Sequence, residues 1–164
     1  MQELYMIRHG FAGTPVEDQA TDERRPLKPK GKDKTKEVAK NLKAMDIHFD
    51  VVLSSPLLRA KQTAEIINAY CGRNNGVTIT ELLKPGASYQ NLIKFLNKLK
   101  KSDRIAIVGH EPFLGGFASF CLAKSNNSFI NLKKSGLLML QIDEVIKPKK
   151  CSLTWLMEPG QIIG

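Results

Sequence analysis

Two histidines and two arginines stand at places in this chain where they can act together. Arg8 and His9 follow the apolar run Leu4-Tyr5-Met6-Ile7 and precede Gly10. Arg59 comes shortly after Val51-Val52-Leu53-Ser54-Ser55-Pro56, and His110 follows Ile105-Ala106-Ile107-Val108-Gly109. Each apolar run reads as a short strand, the first buried on both faces. Each cluster then sits at the carboxyl end of a strand, the edge where open α/β sheets bind ligands. The planar fork of arginine matches phosphate or carboxylate oxygens. A neutral imidazole can attack phosphorus or carry a proton near neutral pH. Gathered on one edge, the four side chains make a site for a dianion with two possible nucleophiles, His9 and His110.

That convergence requires parallel strands, and the rest of the chain predicts them. Residues 11–26 read as a polar loop without periodicity. From about Pro29 the pattern becomes helical, with Val38, Ala39, Leu42 and Met45 on one stripe and lysines between Lys28 and Lys43 on the wet face. Residues 50–53 form a second strand. Ser55 as N-cap and Pro56 at the first helical position then open a helix through Leu57, Leu58, Ala60, Ala64, Ile67 and Tyr70. Its N-terminus favours an anion. A short strand follows over 77–80. Ser88 opens a helix with Tyr89, Leu92, Ile93, Leu96 and Leu99 on one face, and residues 104–108 form the most apolar strand. Pro112 starts a helix through Leu114, Phe117, Ala118, Cys121 and Leu122, and residues 124–134 are a polar loop. Strands over 137–142 and 152–157, joined by a short turn, predict an antiparallel hairpin. Strands alternating with helices imply an α/β fold: a three-layer αβα sandwich, with a mostly parallel sheet of about six strands and an antiparallel strand near the C-terminus.

The 164 residues suit one domain spanning 1–164, at about 100–200 residues per domain. No apolar run approaches the ~20 residues of a membrane span, and no basic n-region with an apolar h-region opens the chain. The cytoplasm is the expected location, without membrane association. Cys71, Cys121 and Cys151 have no paired spacing, which argues against a disulfide framework or a zinc site. The net charge of +9 favours an anionic partner. Much of the excess lies in 28–43 and 94–101, which read as solvated helix faces. No nucleic-acid signature accompanies the charge, so nucleic acid is not the expected partner.

Beyond these patterns, Ile7-Arg8-His9-Gly10, the segment from Ser54 to Ala64, and Val108-Gly109-His110-Glu111-Pro112 resemble the three motifs of the histidine phosphatase (phosphoglycerate mutase-like) superfamily, in order and spacing. The short length and the Arg25-Pro26-Leu27 turn look most like its SixA branch, the small phosphohistidine phosphatases of two-component signalling. The resemblance implies that His9 attacks phosphorus in line and becomes phosphohistidine, which water hydrolyses. It implies that Arg8 and Arg59 hold the phosphoryl oxygens, that His110 is a further donor, and that no metal or other cofactor is needed. The implied partner is a phosphorylated protein, such as a histidine phosphotransfer domain, with phosphate in the site. Arg25 matches an arginine of the branch and either reaches substrate or pairs with Asp22 or Glu23, with Arg24 as its rival. Glu81 is the candidate general acid; otherwise it caps a strand on the surface.

Phe11 stands where the acid-phosphatase form of the first motif has another residue. A site without a strong acid suits a phosphoramidate better than an ester, because imidazole leaves well once protonated. The alternatives are a phosphatase or mutase acting on a small phosphate ester, and a phosphoprotein-binding module without turnover. His48 belongs to no motif, Glu111 reads as a loop former, and Trp155 reads as core.

Overall fold

Alternate residues of the first strand separate two apolar layers. In β1 (Gln2–Arg8), Leu4 and Met6 join one buried cluster, while Tyr5 and Ile7 join another on the opposite face. The computed structural model describes residues 1–73, 76–99 and 102–164. Its six-stranded sheet has the order β3-β2-β4-β1-β5-β6, with β2 (Val51–Ser54), β3 (Val77–Ile79), β4 (Arg104–Gly109), β5 (Leu137–Ile142) and β6 (Cys151–Met157). The pairs β1–β4, β2–β4 and β2–β3 are parallel, and β5 runs antiparallel to both β1 and β6. The αβα sandwich with a C-terminal antiparallel hairpin is therefore as expected.

Helices α2 (Pro29–Ala44) and α3 (Leu58–Cys71) cover the Tyr5/Ile7 face through Val38, Leu42, Ala60, Ala64 and Ile67. On the Leu4/Met6 face lie α4 (Tyr89–Leu96) and α5 (Phe113–Ala123), through Leu92, Leu96, Leu114 and Phe117. Register sets the functional edge. Arg8 lies opposite Gly109, and Ser54 opposite Val108. The residues that follow, His9, His110 and Ser55, consequently leave the sheet side by side.

Several local expectations are corrected. The 11–26 segment contains a short helix, α1 (Gln19–Glu23), capped by the Asp18 side chain. It buries none of its residues and so carries no hydrophobic period. Met45 lies outside the buried stripe, 48% exposed, because α2 ends at Ala44. The α4 helix stops at Leu96, and Leu99 belongs to a 3-10 turn. Of the lysine run 94–101, Lys100 and Lys101 lie outside the described residues. After Glu158 the chain forms α6 (Pro159–Ile163), which buries Ile162. Trp155 is half-buried, its ring edge-on to Tyr5 with centroids 5.7 Å apart. All three cysteines are buried free thiols, and burial pushes the Cys71 thiol up to about 11.

Gly31 in α2 lets the helix approach the turn after His9. A Cβ there would run into the carbonyl oxygen of Phe11, which already accepts from the Lys28 amide at 3.0 Å. In an unobstructed helix, glycine to alanine stabilises by about 0.5–1 kcal/mol. Here we expect Gly31→Ala to destabilise by about 1–3 kcal/mol, as overpacking against backbone does. A denaturant midpoint equal to or above that of the parent chain would contradict this reading.

Candidate active site

His9 occupies the first residue beyond β1. Its amide donates to Gly109 O at 3.0 Å, which ties it to the end of β4. Nδ1 of the ring lies 2.7 Å from Gly10 O. A carbonyl can only accept, so the proton sits on Nδ1 and Nε2 presents a lone pair. The turn is held from α3: Gly10 N donates to Thr63 Oγ1 at 3.0 Å, and that hydroxyl donates to Arg59 O at 2.8 Å. Thr63 was legible in the sequence only as part of the second motif.

His110 sits beside His9, with ring centroids 5.2 Å apart and planes 55° apart. The two residues are only 7% and 3% exposed. His110 Nε2 is 2.8 Å from Ser55 Oγ. This corrects the expected cap: α3 begins at Leu58 with Leu57 as N-cap, so neither Ser55 nor Pro56 takes its predicted helical position. Ser55 Oγ accepts from Leu57 N at 3.3 Å, which leaves its proton free to go to His110 Nε2. That assignment places a donor proton on Nδ1 of His110, facing away from Ser55.

Arg8 donates from one terminal nitrogen to Leu132 O at 2.7 Å. Arg59 donates to Asp22 O at 2.9 Å, and its other terminal nitrogen is 3.2 Å from the Asp22 carboxylate. The same carboxylate lies 3.0 Å from Arg25 Nε, while Arg25 also donates to Ala12 O and Gly13 O. Arg25 thus makes the ion pair with Asp22, and through Asp22 it is joined to Arg59. Arg24 points elsewhere, to Ala20 O. Asp22 was missed as a site residue because it lies in α1, a short helix that buries none of its residues and so carries no hydrophobic period.

Among the described residues, three buried side-chain atoms lack a hydrogen-bond partner: Arg8 Nε, Arg59 Nε and His110 Nδ1. Buried polar groups are ordinarily paired, so donors left open together at one sheet edge suit an acceptor-rich ligand. A tetrahedral oxyanion offers such acceptors. Glu81 opens a 3-10 turn after β3, with a side chain 73% exposed and 3.1 Å from Lys84 Nζ. None of its described contacts reaches His9 or His110. Glu111 accepts from Gly115 N at 2.8 Å and braces the start of α5. His48 is a loop residue 3.0 Å from Asp46. No group of three or more His, Cys, Asp or Glu suited to a metal occurs among the described residues.

The profile of the histidine phosphatase superfamily (branch 1) matches residues 4–84, which include Arg8, His9 and Arg59. An uncharacterised protein from Picosynechococcus sp. is 37% identical over 85% of this chain and 84% of its own length. The phosphohistidine phosphatase SixA of Escherichia coli is 26% identical over 96% of this chain and 94% of its own. The chain belongs to the histidine phosphatase superfamily. It is a phosphatase of SixA-like sequence over nearly its whole length. Its fold matches that of SixA complexed with tungstate, with a TM-score of 0.82 at 23% identity over 98% and 99% of the two chains. A phosphoserine phosphatase from Entamoeba histolytica in complex with phosphoserine shares the fold at a TM-score of 0.73 and 19% identity, over 97% of this chain and 98% of that one. Among the described residues, no helix of this histidine phosphatase is long and apolar enough to cross a membrane.

Electrostatics keep both imidazoles neutral in this phosphatase. Burial, reinforced by Arg59 and Arg8, lowers the His9 pKa to about 3, although the bond to Gly10 O opposes the shift. Burial and the neighbouring His9 do the same for His110, also to about 3. Burial lowers the pKa of Arg8 and Arg59 as well, but a guanidinium starts so high that it stays charged. We expect the His9 and His110 ring protons to show no titration between pH 8 and 5 by NMR. An inflection near 6.5 at either ring would contradict the site's electrostatics. The sign for stability follows by linkage. Between about 3 and 6.5 the unfolded chain binds protons that the native rings refuse, so stability falls as pH drops through that window.

Proposed function

We propose that the protein hydrolyses a phosphoryl group from phosphohistidine on a signalling protein, such as a histidine phosphotransfer domain, through a phosphohistidine intermediate on His9. The observation that carries this reading is the set of open donors, Arg8 Nε, Arg59 Nε and His110 Nδ1, around the neutral His9 imidazole. Nε2 of His9 attacks phosphorus in line. The bond from phosphorus to the substrate nitrogen breaks, and its electron pair leaves with the imidazole. Arg8, Arg59 and His110 hold the equatorial oxygens and stabilise charge as it builds there. Water then attacks phosphohistidine, releasing phosphate and restoring His9. No metal enters these steps, because side-chain cations fill the charge-stabilising role.

The leaving group argues for a phosphoramidate. An alkoxide needs a strong proton donor, whereas an imidazole protonated on its distal nitrogen departs as a neutral molecule. Asp22, the carboxylate bound to Arg59, is held below the usual carboxylate range, first by the Val16 amide and also by Arg25 and Arg59. It is a poor acid. Glu81 remains the candidate donor for an ester, although its side chain faces Lys84 and solvent. A cavity of about 350 Å³ beside Arg59, lined in part by Val16, Leu57, Lys84 and Pro85, leaves room for a partner's surface. The test compares kcat/KM on a phosphohistidine-bearing phosphotransfer domain with that on phosphoserine. We expect a preference of at least ~10-fold, equivalent to 1.4 kcal/mol of transition-state discrimination. Faster ester hydrolysis would overturn the substrate assignment in favour of a small phosphate ester.

A further inference from the structure

Lys134 lies in what the sequence presents as an ordinary polar loop, yet the backbone around it is stitched to the first motif. Ser135 N donates to Arg8 O at 3.1 Å and to His9 O at 3.3 Å, and Arg8 N donates to Gly136 O at 3.0 Å. Ser135 takes a left-handed φ of 61°, and its buried hydroxyl lies 3.0 Å from Thr35 Oγ1 on α2. The loop is thus fixed one residue away from Lys134. The Lys134 ammonium is held 4.9 Å from the centroid of the Phe11 ring, two residues after His9. Such cation–π seating restrains a side chain that would otherwise sample water freely. Lys133, one position earlier, is exposed, whereas Lys134 is half-buried.

No described ion pair gives Lys134 a carboxylate partner. Its charged neighbours are cations instead. Burial and the nearby Arg8 and Arg25 hold its pKa below the ordinary lysine value, and Lys134 in turn helps to lower that of His9. A lysine restrained among arginines, without a counter-charge, is poorly explained as a solvated surface group. An incoming dianion would relieve the repulsion.

We propose that Lys134, seated on Phe11, is a further phosphoryl-binding cation at the mouth of the site, added to Arg8, Arg59 and His110. The proposal rests on the phosphoryl reading of the site and names a residue outside the three motifs. Lys134 contacts a peripheral phosphoryl oxygen from the solvent side, while the two arginines hold the buried oxygens. Its partial exposure makes its contribution sensitive to salt, unlike that of buried Arg59.

The test uses tungstate as the oxyanion probe, with affinity read by titration calorimetry on the full chain. Lys134→Ala is expected to weaken tungstate binding about fivefold to tenfold at low ionic strength, the range for one partly exposed charged hydrogen bond. The loss should shrink as salt is raised. Lys134→Arg should retain affinity within about twofold, because the charge and the ring contact both persist. Phe11→Ala should give an intermediate loss, and Lys133→Ala none. A Lys134→Ala protein that binds tungstate as tightly as the parent, or loses no more than Lys133→Ala, overturns the proposal. Affinity is read without turnover. Failure to hydrolyse phosphohistidine would therefore overturn only the proposed function, and unchanged tungstate affinity only the lysine assignment.

Discussion

His9→Ala is expected to remove turnover, lowering kcat by at least about 10⁴-fold, as loss of a covalent nucleophile does. The acid-labile phosphoenzyme should vanish with it. The expectation rests on three features of the site, of which alanine deletes the first two. The Nδ1 proton is committed to Gly10 O at 2.7 Å, so Nε2 carries a directed lone pair. Burial first, then Arg59 and Arg8, hold the ring neutral with a pKa of about 3. The neighbouring buried donors, Arg8 Nε, Arg59 Nε and His110 Nδ1, make no hydrogen bond to the imidazole or to any other protein group. Oxyanion binding should survive, because Arg8, Arg59 and His110 remain. The check is a pair of measurements on one sample: phosphoryl label retained after brief exposure to substrate, and tungstate affinity. A variant that still takes up label would place the nucleophile elsewhere, with His110 the next candidate. A variant that turns over no substrate but keeps the physiological effect of the parent would favour a binding module.

The second large effect is expected at Arg59. Arg59→Ala should lower kcat/KM by about 10²–10³-fold, the range for losing one preorganised donor to a developing oxyanion. Both terminal nitrogens of Arg59 are engaged by Asp22, through its carbonyl at 2.9 Å and its carboxylate at 3.2 Å. This leaves Nε as the buried, unpartnered donor. Asp22 therefore aims Arg59 by occupying one end of its fork. Arg59→Lys should not restore activity, because an ammonium cannot bind Asp22 and the phosphoryl group along two fixed edges. Stability should fall by about 1.5–3 kcal/mol, the range for losing a hydrogen bond to a charged group. Asp22 keeps the Val16 amide at 3.0 Å and Arg25 at 3.0 Å. Kinetics beside a denaturant titration separate the outcomes. If Arg59→Lys retains full kcat/KM, the arginine serves only as a positive charge.

Much of the architecture was legible in Leu4–Ile7 and Ile105–Val108. Such short, continuous apolar runs are stable only when covered on both faces, and that requires helices on each side of a parallel sheet. Arg8-His9 and Gly109-His110 then had to emerge at one edge, because parallel strands end at the same side. The antiparallel hairpin was legible for the converse reason, since a short turn cannot make a parallel crossover. Polar contacts were not legible in this way. Ser55 follows a strand and precedes Pro56, which locally reads as a helix start, yet its hydroxyl orients His110. Asp22 in the short helix α1 and Lys134 in a loop lie in polar segments whose composition says only that they face water.

By itself the sequence determined which side chains meet at one edge of the sheet: Arg8 and His9 from β1, Arg59 from the start of α3, and His110 from the end of β4. The physical reason is periodicity, which converts residue order into burial and burial into strand direction. Only the tertiary structure decided how those groups are aimed. The His9 tautomer depends on Gly10 O, the open edge of Arg59 on Asp22, and the His110 donor on Ser55. The seating of Lys134 depends on Phe11. All but the first join residues at least 37 positions apart. Each turns on a few tenths of an ångström of polar geometry, which no local pattern of polarity encodes.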